Sequence, residues 1–96
     1  MILIIAKSTV LNEKREGFLR LAKRMEAESR QEAGCISYTL YEDMQEPLKF
    51  CFIEQWKDQE AIDSHNNSSH FKDLVPKMAK CKMAPTDIQL LCEIDE

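Results

Sequence analysis

Apolar side chains fill both parities of Met1 to Ala6 (Met-Ile-Leu-Ile-Ile-Ala), which predicts a strand covered on both faces. Asn12 then offers an N-cap, with Glu13 and Glu16 in the first turn, where carboxylates suit the helix dipole. Phe18, Leu21, Ala22 and Met25 follow at i, i+3, i+4 and i+7, one stripe of an amphipathic helix. Gly17 weakens that helix near its start by about 1 kcal/mol relative to Ala, and Gly34 is placed to stop it as the C′ residue. Cys35 to Glu42 alternates, with Ile36, Tyr38 and Leu40 on one side. After a polar turn, Asp43 to Pro47, the run Leu48 to Trp56 alternates again: Leu48, Phe50, Phe52, Glu54 and Trp56 at one parity, Cys51 and Ile53 at the other. These two runs predict a hairpin. Asp58 caps a short helix on which Ala61, Ile62 and His65 share a face, and Asn66 to Ser69 interrupts it. Ser68 or Ser69 caps a second piece carrying Phe71, Leu74, Val75 and Met78 at helical spacing, which Pro76 should kink or shorten. After Pro85, alternating Ile88, Leu90, Cys92 and Ile94 predict the last strand.

The order is β-α-β-β-α-β, a ferredoxin-like α+β fold with an antiparallel sheet and helices on one face. Helices cover only that face, yet the first and third strands carry apolar side chains on both. The uncovered rows would make an unusually large patch for a monomer. A second copy of the chain is the most economical cover, so the pattern predicts a homodimer.

Length, 96 residues, fits one domain spanning 1–96. With only two glycines, the chain cannot contain a dinucleotide fingerprint, a Walker loop or a G-x-S-x-G elbow. A net charge of −4 argues against nucleic acid and anionic membranes as partners. The opening apolar run is too short for a signal peptide, and no stretch approaches a membrane span. Cys35, Cys51, Cys81 and Cys92 form no C-x-x-C, and three of them fall in strand-like runs as small hydrophobes. The expectation is a reduced cytoplasmic protein with no metal.

Glu54 shares its parity with Phe50, Phe52 and Trp56. Desolvation there would raise its pKa and make it a proton acceptor; alternatively it is a structural carboxylate paired with a nearby donor. Trp56 and Phe52 could wall a pocket for a flat aromatic ligand, or serve simply as core. Tyr38, across the hairpin, could bring its hydroxyl to the same volume. His65 faces the sheet beside Ile62, either as a hydrogen-bonded core residue or as an acid–base group. His70, just past a helix cap, reads as solvated, and its spacing from His65 is not the i, i+4 of zinc proteases. Cys81, between Lys80 and Lys82, is a side candidate for a reactive thiol.

Glu32-Ala33-Gly34-Cys35-x-x-Tyr38-x-Leu40-Tyr41, Phe52-x-Glu54-x-Trp56-x-Asp58 and Ala61-x-x-x-His65-x-x-Ser68-x-His70-Phe71 together resemble the antibiotic biosynthesis monooxygenase family, which includes small quinol monooxygenases. The resemblance implies a dimeric α+β barrel and oxygenation of quinols, anthrones or polycyclic phenols without metal or flavin. The deprotonated substrate itself passes an electron to O2. Such chemistry needs an apolar pocket, a base and exclusion of water. Glu54 or His65 would be the base, with Tyr38, Phe52 and Trp56 binding the substrate. A haem-degrading branch is disfavoured, because Ala6-Lys7 ends the first strand and Val75 falls where its ligand His is expected. The same fold leaves open a non-catalytic binding module and an isomerase of a small phosphorylated signalling molecule. An RNA-binding sheet built on Phe50 and Phe52 is opposed by the acidic charge and the missing glycine.

Overall fold

The computed structural model describes residues 1–94. Strands β1 (Ile2–Thr9), β2 (Cys35–Glu42), β3 (Lys49–Trp56) and β4 (Asp87–Cys92) and helices α1 (Arg15–Ser29), α2 (Gln59–Asn66) and α3 (Ser69–Ala79) follow the predicted order. The strands form one antiparallel sheet in the order β2-β3-β1-β4, the ferredoxin-like arrangement.

The core lies between the sheet and the helices. Ile4 and Ala6 of β1, Phe50, Phe52 and Trp56 of β3, and Tyr38 of β2 point into it, against Phe18, Ala22 and Met25 of α1, Ile62 of α2 and Leu74 and Met78 of α3. Each of the larger apolar side chains among them contributes about 1.5–3 kcal/mol by leaving water. The opposite face carries Leu3, Ile5, Cys51, Ile53 and Leu91 with polar neighbours, and no helix of the described residues covers it.

Several expectations are corrected. The first strand runs past Ala6 to Thr9, because exposed Lys7 and buried Ser8 keep the strand alternation although neither is apolar. Asn12 is not the N-cap: it opens a 3-10 turn, and α1 starts at Arg15 without a side-chain cap. Ile36 leaves the row of Tyr38 and Leu40, since a bulge between Cys35 and Ser37 sets Cys35 opposite Trp56 and turns Ile36 out to 56% exposure. The helix α3 continues through Pro76 to Ala79. The last strand stops at Cys92, leaving Ile94 exposed. Cys92 is exposed, and the buried cysteine is Cys81, outside the strands.

Gly34 has another purpose than the one expected. No glycine has a positive φ, and α1 ends at Ser29, four residues before Ala33. A Cβ at Gly34 would overlap the Cβ of Ala61 and sit 3.2 Å from its Cα. Gly34 is therefore the point where the α1–β2 connection touches α2, and its carbonyl also accepts the Lys57 amide at 2.9 Å.

Candidate functional site

That contact sets the position of α2. Asp58, two residues after β3, accepts the Ala61 amide at 2.9 Å and starts the helix beside Trp56. One turn beyond Ala61, His65 faces the sheet at 3% exposure. Its ring is wedged between aromatics: Trp56 at 4.5 Å between centroids, Phe71 at 5.1 Å and Tyr38 at 5.7 Å. The helix α2 ends at Asn66, and the Ser68 hydroxyl ties it to α3 by donating to the His65 carbonyl at 2.7 Å and accepting the Phe71 amide at 3.2 Å.

Glu32 closes the arrangement from the α1–β2 connection. Its Oε2 lies 2.6 Å from His65 Nδ1 and 2.9 Å from His70 Nε2. Both nitrogens face a carboxylate oxygen, so each carries its hydrogen toward it. His65 Nε2 then keeps its lone pair, and among the described residues no group donates to it. His70 is accordingly not a solvated side chain: only 12% of it is exposed. The sequence hides this because Glu32 lies in the irregular α1–β2 connection and His70 just past a helix cap, positions that no periodicity links. Two histidines and a carboxylate are also a donor set a transition metal could use. Their ligand atoms lie within 4.8 Å of one another. Here, however, the separations are hydrogen-bond lengths, and the three side chains satisfy one another.

A cavity of about 380 Å³ opens between the sheet and helices α2 and α3. Glu54, His65, Tyr38 and Phe52 line it, with Ile88 and Leu90 of the β4 edge at 58% and 52% exposure. Trp56 is fully buried and is not among the lining residues. Its indole N–H donates to Glu54 Oε1 at 2.9 Å, so it supports Glu54 and His65 from behind rather than walling the cavity. Glu54 is 5% exposed, and desolvation raises its pKa to about 7, against the pull of the Trp56 hydrogen bond. Desolvation also lowers the pKa of His65, although the Glu32 carboxylate opposes it. Burial raises the pKa of the Tyr38 hydroxyl. The site is thus a carboxyl whose proton affinity is raised to near neutrality and an imidazole pushed toward its neutral form, facing one apolar volume.

A second space of about 430 Å³, lined by Tyr41, Lys49, Pro85 and Asp87 among others, contains none of these groups. No helix of the described residues is long and apolar enough to cross a membrane.

The sequence profile described as "Antibiotic biosynthesis monooxygenase" matches residues 1–77. The Bacillus subtilis (strain 168) protein named "Putative monooxygenase YcnE" is 39% identical over 88 residues, covering 92% of this chain and 93% of that one. A crystal structure titled as an antibiotic biosynthesis monooxygenase superposes with a TM-score of 0.94 at 30% identity, covering 99% of this chain and 100% of the other. A conserved protein from Methanosarcina mazei Go1 superposes at 0.91 with 34% identity, over 94% and 89%. These names support a monooxygenase-like function. The sequence match, the sheet order and the superposed structures lead to one conclusion: the chain belongs to the antibiotic biosynthesis monooxygenase family.

Proposed function

We propose that this protein is a cofactor-independent monooxygenase that oxidises a quinol-like or polycyclic phenolic small molecule with O2 in the cavity between the sheet and α2–α3. The observation that carries the reading is the Glu32–His65 pair, with His65 Nδ1 bound to the carboxylate and the ring lining the cavity. A carboxylate that fixes the tautomer and stabilises the imidazolium is the arrangement that makes histidine an effective base. His65 takes the proton of the bound substrate, and Glu32 stabilises the resulting charge. The substrate anion passes one electron to O2, and the two radicals recombine to a hydroperoxide. Loss of water leaves a carbonyl, so one oxygen atom enters the product, the other leaves as water, and the substrate supplies all four electrons that reduce O2. Glu54, protonated for part of the time near pH 7, is placed to donate to a substrate or peroxide oxygen. Tyr38 and Phe52 bind the ring, and Trp56 holds Glu54 in place.

The same reading includes a homodimer joined through the Leu3–Ile5–Ile53 face of the sheet, which excludes water from those rows. Four free cysteines suit a reducing, cytoplasmic setting. The test is oxygen uptake with purified protein against a panel of hydroquinones, catechols and anthrones, before and after dialysis against a chelator. Substrate-dependent uptake that survives chelation supports the proposal. Tight binding of these compounds with no uptake would make the protein a binding module instead.

A further inference from the structure

One end of the cavity carries a lysine. The cavity lining contains three ionisable groups besides the deeply buried Tyr38: Glu54, His65 and Lys82. Glu54 is bound to the Trp56 indole and His65 to the Glu32 carboxylate, and neither forms an ion pair with Lys82. Lys82 lies in the connection between α3 and β4 and bridges to Val10 just beyond the end of β1. Its ammonium donates to the Thr86 hydroxyl, and among the described residues it meets no carboxylate in an ion pair. The side chain is part-buried, and that burial pushes its pKa below the ordinary 10.5. A lysine partly withdrawn from water without a counter-ion is stabilised by an anion that enters with it.

The cavity also has a direction. Glu54 pairs with Ile4 of β1, and the lining continues along the same face through Ala6 to Ser8, near the Lys82 end. Four residues of strand span about 13 Å. This is longer than one benzene ring and comparable to a fused two- or three-ring system.

We propose that the substrate is an anionic polycyclic aromatic, with its oxidisable carbon at Glu54 and His65 and a carboxylate on a distal ring paired with Lys82. This inference rests on the oxygenase reading for the word substrate, but the charge selectivity is tested without turnover. The probes are anthraquinone-2-carboxylate and its neutral isostere anthraquinone-2-carboxamide, neither of which is an oxygenase substrate. Calorimetric titration should show the carboxylate binding at least about tenfold more tightly. Lys82→Gln, which can still hydrogen-bond Thr86, should erase that preference while leaving carboxamide binding unchanged, and Lys82→Arg should restore it. Equal binding of the two probes, a preference that survives Lys82→Gln, or no binding of the carboxylate at millimolar concentration would each overturn the proposal. In those cases the oxygen-uptake panel with neutral hydroquinones still decides the oxygenase reading separately.

Discussion

Glu32 Oε2 lies 2.6 Å from His65 Nδ1, although 33 residues separate them in the chain. The contact joins the α1–β2 connection to α2, and it turns a buried histidine into a group with a defined tautomer. Neither residue alone would do this. Without a carboxylate, a neutral imidazole walled in by Trp56, Tyr38 and Phe71 would have no reason to present Nε2 rather than Nδ1 as its acceptor.

If His65 is the base, His65→Gln should lower turnover of the best substrate by about 10²-fold or more, with the far-ultraviolet circular dichroism unchanged. Glu32→Gln keeps an acceptor for Nδ1 but removes the charge, so its loss should be smaller, on the order of tenfold and mainly in kcat. Equal rates for wild type and His65→Gln would make the histidine structural.

The pH profile separates the two candidate bases. Desolvation holds the His65 pKa below its ordinary 6.5, so a profile governed by His65 falls only on the acid side of that value. The Glu32 carboxylate raises this pKa, and His70 beside it lowers it. Glu32→Gln should therefore move the acid limb to still lower pH. A limb near pH 7 that disappears in Glu54→Gln would instead assign the base to Glu54, whose pKa is about 7.

Alternation along β2 and β3 was enough to place Tyr38, Phe52 and Glu54 on one face, because strand period fixes which side a residue takes. The helical stripe of α2 likewise placed His65 toward the sheet. Sequence could not show that Glu32, in an irregular connection after α1, folds back onto His65, since no period governs a loop. It also could not show that Trp56 stands behind Glu54 instead of beside the cavity. Residues of one parity share a face, but depth along that face depends on where the helices stop covering it. Lys82 stands out in the sequence only as a neighbour of Cys81, because its withdrawal from water depends on the bridge to Val10.

Glu54 should make stability depend on pH. Its folded pKa, about 7, stands above the ordinary 4.5, so the folded state prefers the protonated form. That contribution is complete below pH 4.5 and is lost as pH rises through about 7. At about 1.4 kcal/mol per pH unit, the full difference is about 3 kcal/mol. Glu54→Gln keeps an acceptor for the Trp56 indole and removes the charge. Urea unfolding at pH 8 should find this variant more stable than wild type, and the gain should shrink toward pH 4.5. A difference independent of pH would show that burial does not govern this carboxyl.

Gly34→Ala should damage both the fold and the site through one contact. The new Cβ would overlap Ala61, so either the α1–β2 connection or α2 must move. Overpacking of this kind costs about 1–3 kcal/mol, which lowers Tm by about 4–8 °C per kcal/mol in a domain of this size. Ala61 is one turn before His65, and Gly34 is two residues after Glu32, so any such movement pulls on the 2.6 Å contact from both sides. Turnover should therefore fall further than partial unfolding explains at a temperature where the variant is folded. Ala61→Gly on the Gly34→Ala background removes the overlap but adds a helix glycine, which costs about 1 kcal/mol. The double variant should recover most of the activity while remaining less stable than wild type. If activity stays low in the double variant, the glycine acts on the site by some route other than its packing against Ala61.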